Sequence, residues 1–194
     1  YRKTRELYKG ELSIAEIIKD LGDTTDGNAT DAVRIYITRM NRRFISADGF
    51  YSWRDLRYFL YEYETFLMNN NQSPQKIYPE DFFKADAKDK VSIEHVYPQT
   101  PTDEYWTSRF DMYSEEQRKY LNGSLGNLLP LSLRINIKLQ NHSFKDKKAE
   151  RYYKGSHSEI EVNHYEEWNP EVILERGKNM LDFMAKRWSF KFND

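Results

Sequence analysis

Apolar residues recur along most of this chain at spacings of three and four, the period of helices packed on one side. Ser13-Ile14-Ala15-Glu16 has capping-box form and opens a short helix that Gly22 closes. Residues 23–28 read as a polar loop rich in Gly, Thr and Asp. A second helix is expected over 31–43, with Val33, Ile37 and Met40 on one face, and Ser52 is the expected cap of a third, from Trp53 to about Met68. Leu56, Phe59, Leu60, Tyr63 and Leu67 give that helix a broad apolar stripe, and Asn69 to Pro74 ends it. The period then changes. Residues 93–98 read as a strand ending near Pro98, and Gly126 to Leu131 as the strand that returns beside it. Between them a polar helix is expected over 103–120, with Pro101 before it and Asn122-Gly123 closing it. A helix carrying Asn136 should follow from Ser132, then a loop over 155–164. Asn169-Pro170-Glu171 supplies an N-cap, a first-turn Pro and an acid for a last helix bearing Ile173, Leu174, Met180, Leu181, Met184 and Trp188.

The pattern predicts an α+β chain, predominantly helical, with a helical scaffold over 1–90, a strand-strand-helix unit with its insertion over 91–154, and a helical region over 155–194. Composition narrows the setting. With 194 residues, 15% of them aromatic, the chain can build a sizeable core, and 31% charged residues point to a soluble protein. No apolar run reaches the length of a membrane span. Cys is absent, which excludes a disulfide framework and a thiolate zinc site and makes a reducing cytoplasm the natural compartment. A start at Tyr1, without Met or a signal pattern, suggests an excised piece of a longer protein. The net charge of -1 gives no global nucleic-acid signature. Locally, however, residues 134–154 carry seven basic side chains against two acidic ones, with Lys145, Lys147 and Lys148 at the centre of the run.

The chemistry lies around that run. Glu94-His95 is followed by Asn127 and then, nine residues on, by Asn136. Cutting a phosphodiester with an in-line water needs a base that is neutral near physiological pH and a cation for the charge on phosphate and leaving oxygen. His95 can be that base. A hard divalent ion takes oxygen ligands and keeps several waters, so a carboxylate and an amide oxygen, from Glu94 and Asn136, suit Mg2+ or Mn2+. Adjacent strand residues point to opposite faces, so Glu94 and His95 can flank one ion only where the strand ends or bends.

Glu94-His95-Val96-Tyr97-Pro98, Gly126-Asn127-Leu128, Asn136, Asn141-His142-Ser143-Phe144 and Lys147 together resemble the HNH (His-Asn-His) endonucleases. Among these the chain is similar to the C-terminal nuclease domain of GmrSD-type, modification-dependent restriction proteins. Tyr61 to Glu64 upstream, and Trp168, Ile173, Arg176, Leu181 and Trp188 downstream, extend the likeness over roughly residues 55 to 188. The resemblance implies an embedded ββα-metal unit with His95 as general base and Glu94 and Asn136 as metal ligands. It implies that Asn127 holds the loop and orients the base, with Gln140 at the position of a further ligand. It puts Lys147 near the phosphate backbone and DNA as the substrate, and it sets an N-terminal NTPase domain before this region. This region has no Gly-rich loop ending in Lys-Ser or Lys-Thr, so it should hold no nucleotide site.

Each residue also has a plainer reading. Glu94 can be a solvated strand-end carboxylate, Asn127 a turn residue after Gly126, and Asn136 and Asn141 polar positions on a helix face. His142, His157 and His164 have no comparable constellation and are taken as non-catalytic. Three other functions stay open: cleavage of RNA or single strands, nucleic-acid binding through a degenerate site, and a protein-interaction module built on the aromatic helical surfaces.

Overall fold

The computed structural model describes residues 49–83 and 90–188, all within the compact unit Arg43–Asn193. The helices expected at 13–22 and 31–43, and the loop between them, lie outside the described residues. Helix α1 (Leu56–Asn70) and the short α2 (Pro79–Phe83) precede β1 (Val91–His95). Next come α3 (Glu104–Phe110), α4 (Glu115–Gly123), a 3-10 turn (Leu125–Asn127) and β2 (Leu128–Ser132). Helices α5 (Leu133–Leu139) and α6 (Phe144–Glu150), a second 3-10 turn (Tyr152–Lys154), α7 (His157–Asn163) and α8 (Pro170–Arg187) complete the order. Among the described residues the fold is α+β and mostly helical around one two-stranded antiparallel sheet, in which Val91 faces Ser132 and His95 faces Leu128. Among the described residues no helix is long and apolar enough to cross a membrane.

The stripe of α1 buries Leu56, Phe59, Leu60 and Tyr63 as its spacing requires. The helix begins three residues later than Trp53, and Ser52 does not cap it. Trp53 N–H bonds Phe50 O and Leu56 N–H bonds Trp53 O, so this stretch is occupied by consecutive tight turns. The single helix expected over 103–120 is two. Asp103 caps α3 through Tyr105 N–H at 2.8 Å, and Ser114 with Gln117 forms a capping box that starts α4 afresh. Residues 155–164 are not a loop: Ser156 and Glu159 form a second capping box that opens α7. The return strand starts at Leu128 because residues 125–127 coil into the 3-10 turn. The Ser132 boundary and the last helix hold. Asn169 Oδ1 accepts from Val172 N–H at 3.0 Å, ahead of Pro170.

The core joins the insertion to the last third of the chain. Tyr97, Trp106, Phe110, Phe144, Tyr152, Trp168 and Ile173 are buried together, and the Tyr97 and Phe110 rings stack at 3.8 Å. Helix α8 lies along the first 3-10 turn. Gly126 permits this close approach, since a Cβ there would sit 1.9 Å from Ile173 O.

Candidate active site

His95 is the last residue of β1 and its imidazole forms part of a cleft of about 580 Å³. Tyr51, Tyr97, Arg118, Lys119 and Asn122 line the same cleft. His95 is only 8% exposed and the Tyr51 ring lies over it at 4.4 Å. The turn that carries Tyr51 is docked on the end of α4. Phe50 N–H bonds Gly123 O at 2.8 Å, and Gly49 takes a positive φ of 51° where any side chain would collide with Gly123. Burial, with the nearby positive charge of Lys147, pushes the His95 pKa down to about 4. The ring is therefore neutral at physiological pH. Its Nε2 is buried and has no hydrogen-bond partner among the described residues.

Asn127 fixes the chain just beyond the base. Its Oδ1 accepts from Tyr97 N–H at 2.7 Å and from Trp168 Nε1–H at 3.1 Å, while Nδ2 donates to Tyr97 O and Asn122 O. Its own carbonyl accepts from Val96 N–H at 3.0 Å. Both halves of the amide are thus engaged inside the protein, and the residue holds the Val96-Tyr97 bend in place.

Glu94 points to the other side of β1, as strand alternation requires. Lys147 Nζ donates to its Oε1 at 2.6 Å, and Tyr152 OH reaches the same oxygen at 3.4 Å. The pair is sealed, with Lys147 at 0% exposure. Burial pushes the Glu94 carboxyl up and the Lys147 ammonium down, while each charge pulls the other back toward the ionised form. Asn136, in the middle of α5, donates from Nδ2 to Ser92 Oγ at 2.9 Å and Ile93 O at 3.2 Å. Ser92 shares its side of the strand with Glu94, so the two residues with hard oxygens approach β1 from one side. That donor set, a carboxylate and an amide, suits a hard divalent ion in kind. Neither Glu94 nor Asn136 lines the His95 cleft. Among the described residues no group of three or more His, Asp or Glu gathers around a potential ion site.

The basic run is deployed differently from its linear expectation. Lys147, expected at the phosphate backbone, is inside the protein because it is the counter-charge of Glu94. Lys148 Nζ donates to Tyr165 O at 2.6 Å, Lys138 pairs with Glu150, and Arg151 pairs with the buried Glu159. Lys145 is exposed. Gln140 sits at the end of α5 with φ of 33°, exposed to solvent. His142 lies 3.4 Å from Glu150, and His157 Nε2 is 3.0 Å from Pro74 O.

Sequence reasoning assigned no role to the supports of this site. Arg176, fully buried on α8, donates to Gly126 O and Leu128 O on either side of Asn127 and pairs with Glu161 at 2.9 Å. Glu161 also accepts from Tyr63 OH at 2.6 Å. Glu64 accepts from His157 N–H and Ser158 N–H and so caps α7 from α1. The available signal was a charge inside an apolar stripe: Glu64 beside Leu60 and Tyr63, and Arg176 between Ile173 and Met180.

No curated protein and no solved structure matches the chain. The family model described as GmrSD restriction endonucleases, C-terminal domain, matches residues 35–183. Spanning both strands, the His95 cleft and the helices that brace it, that match makes this chain a member of the GmrSD restriction endonuclease C-terminal domain family.

Proposed function

We propose that this chain is a metal-dependent DNA endonuclease of the HNH type, in which β1, β2 and α5 form the ββα-metal unit and His95 is the general base. The observation that carries the reading is the neutral His95 imidazole, whose Nε2 is buried and unpartnered in a residue that borders a cleft. A water placed there gives its proton to Nε2 as its oxygen bonds to phosphorus. The P–O3′ bond breaks with its electron pair going to O3′, which takes a proton from solvent, leaving a 3′-hydroxyl and a 5′-phosphate while His95 later returns its proton to solvent. Asn127 keeps the bend after His95 in register, so the imidazole meets the water in one orientation. Glu94 and Asn136 would hold Mg2+ or Mn2+, which when bound supplies positive charge for the phosphate and the leaving oxygen; since Glu94 is paired with Lys147 on the side of β1 away from the cleft, the ion reaches the phosphate beside His95 only if that pair opens. Lys145, which is exposed, would meet the DNA backbone, and Lys148 would do so only on leaving Tyr165 O.

Family membership supports a restriction role, and so a defence against foreign or modified DNA in the cytoplasm, with an N-terminal NTPase domain of the same protein as partner. The test is conversion of supercoiled plasmid with Mg2+, Mn2+ or EDTA, run beside RNA and single-stranded DNA. The reading expects nicking that needs the metal and is lost in Asn136→Ala. Cleavage that persists in EDTA would overturn metal dependence. DNA binding without cleavage in either ion, with NTP and the NTPase domain present, would favour a degenerate binding module.

A further inference from the structure

We propose that Lys147 is a positioning residue of the nuclease site, fastening the strand end that carries Glu94 and His95, and that it does not touch DNA. Its effect on rate rests on the nuclease reading above, whereas its absence from the DNA contact does not. A lysine in a basic run beside a nuclease motif invites assignment to phosphate, but the geometry leaves it nothing to offer. An ammonium has three N–H donors. Lys147 directs them to Glu94 Oε1 at 2.6 Å, His95 O at 3.2 Å and Val96 O at 3.1 Å. These acceptors belong to three consecutive residues, at the point where β1 ends and the chain bends toward Pro98. The Trp106 ring, 5.8 Å from Nζ, helps to close the charge off from water.

The helix that carries Lys147 is itself anchored. Phe144, at the first position of α6, is buried in the aromatic core, and Ser143 caps the helix through Asp146 N–H at 3.2 Å. Lys147 and Asn127 therefore grip the same bend from two elements. Asn127 bonds Val96 N–H and both backbone groups of Tyr97, and Lys147 bonds the carbonyls of His95 and Val96. The residue between Glu94 and Val96 is the base. A main chain held at both neighbours leaves the imidazole only its side-chain torsions, which Tyr51 restricts from the cleft side. Loosening this grip should misplace the base without changing how DNA is held.

The experiment compares the wild-type chain with Lys147→Met for single-turnover cleavage at saturating DNA, for DNA Kd, and for the slope of log affinity against log salt. Lys147→Met should lower the single-turnover rate by roughly 10²-fold, the cost of about 1 Å of misplacement. Affinity and salt slope should stay at wild-type values. A slope reduced by about one, with weaker binding, would mean a phosphate contact and would overturn the proposal. An unchanged rate per folded molecule would equally overturn it, by leaving Lys147 a purely structural residue. Should Lys147→Met fail to fold, Lys147→Met/Glu94→Gln removes the stranded charge. Its salt slope against that of Glu94→Gln then decides the DNA contact, and the single-turnover rate of Lys147→Arg, which keeps the counter-charge of Glu94 but not the same bonds to the His95 and Val96 carbonyls, decides positioning, a wild-type rate there overturning it. A wild-type chain that cuts nothing would reject the nuclease reading and the rate effect together, an outcome distinct from an active wild type whose Lys147 variants cut equally well.

Discussion

At His95 the protein sets solvent access against orientation. A base must reach water, yet this imidazole is covered by Tyr51 and its pKa is pushed down to about 4, chiefly by burial. The direction has a consequence for stability. In the unfolded chain His95 takes up a proton near its ordinary value of 6.5, so between 6.5 and about 4 the unfolded state binds more protons than the folded one. Stability contributed by the neutral ring is thus complete above 6.5 and is lost as pH falls through that window. The loss amounts to on the order of 3 kcal/mol. An NMR titration should find His95 neutral until pH approaches 4, and Tyr51→Ala should raise its midpoint toward 6.5 by admitting water. A midpoint near 6.5 in the wild type would contradict the burial described here. Glu94-His95, Asn127 and Asn136 stood out in the sequence through one spacing, and the structure gathers them around β1 and the bend that follows it. The engagement of Lys147 did not stand out, because a linear string records its charge and not the carboxylate that Lys147 meets across 53 positions.

Among the elements, those with a complete local signal were legible. Asn169-Pro170 starts α8, where cap chemistry and apolar period agree, and α5 starts after Ser132 where the strand ends and the apolar period changes, without a side-chain cap bond from Ser132. The insertion and residues 155–164 were misread because their signals compete. The polarity of 103–120 reads as one helix until Ser114 is seen to cap, and Gly155 reads as a loop although Ser156 and Glu159 box a helix immediately after it. The braces between elements depend on tertiary partners and were invisible for that reason. Two of them can be tested. Glu64→Ala removes three bonds, from His157 N–H, Ser158 N–H and Ser158 Oγ–H. It should cost about 3 kcal/mol or more in denaturant unfolding; a loss under about 1 kcal/mol would show that α7 does not need its cap from α1. Gly126→Ala would drive a methyl into Ile173 O. It should cost on the order of 3 kcal/mol and weaken cleavage, since α8 carries the Arg176 that braces both neighbours of Asn127.

Over the whole molecule, charge that is clustered in sequence is dispersed in space. The run from Arg134 to Lys154 supplies counter-charges to Glu94, Glu150 and Glu159 before it can serve DNA. The reading therefore expects unequal lysines: Lys145→Ala should weaken DNA binding across sequences and lower the salt slope by about one, whereas Lys147 variants should not. Equal effects at the two positions would contradict this placement. His95 is the group proposed to take the proton of the attacking water, so single-turnover DNA cleavage by His95→Ala, in the ion that supports wild-type activity, is the direct test. A rate reduced about 10²- to 10⁴-fold at unchanged DNA affinity is the predicted result. A variant that cuts as fast as the wild type would rule His95 out as the base.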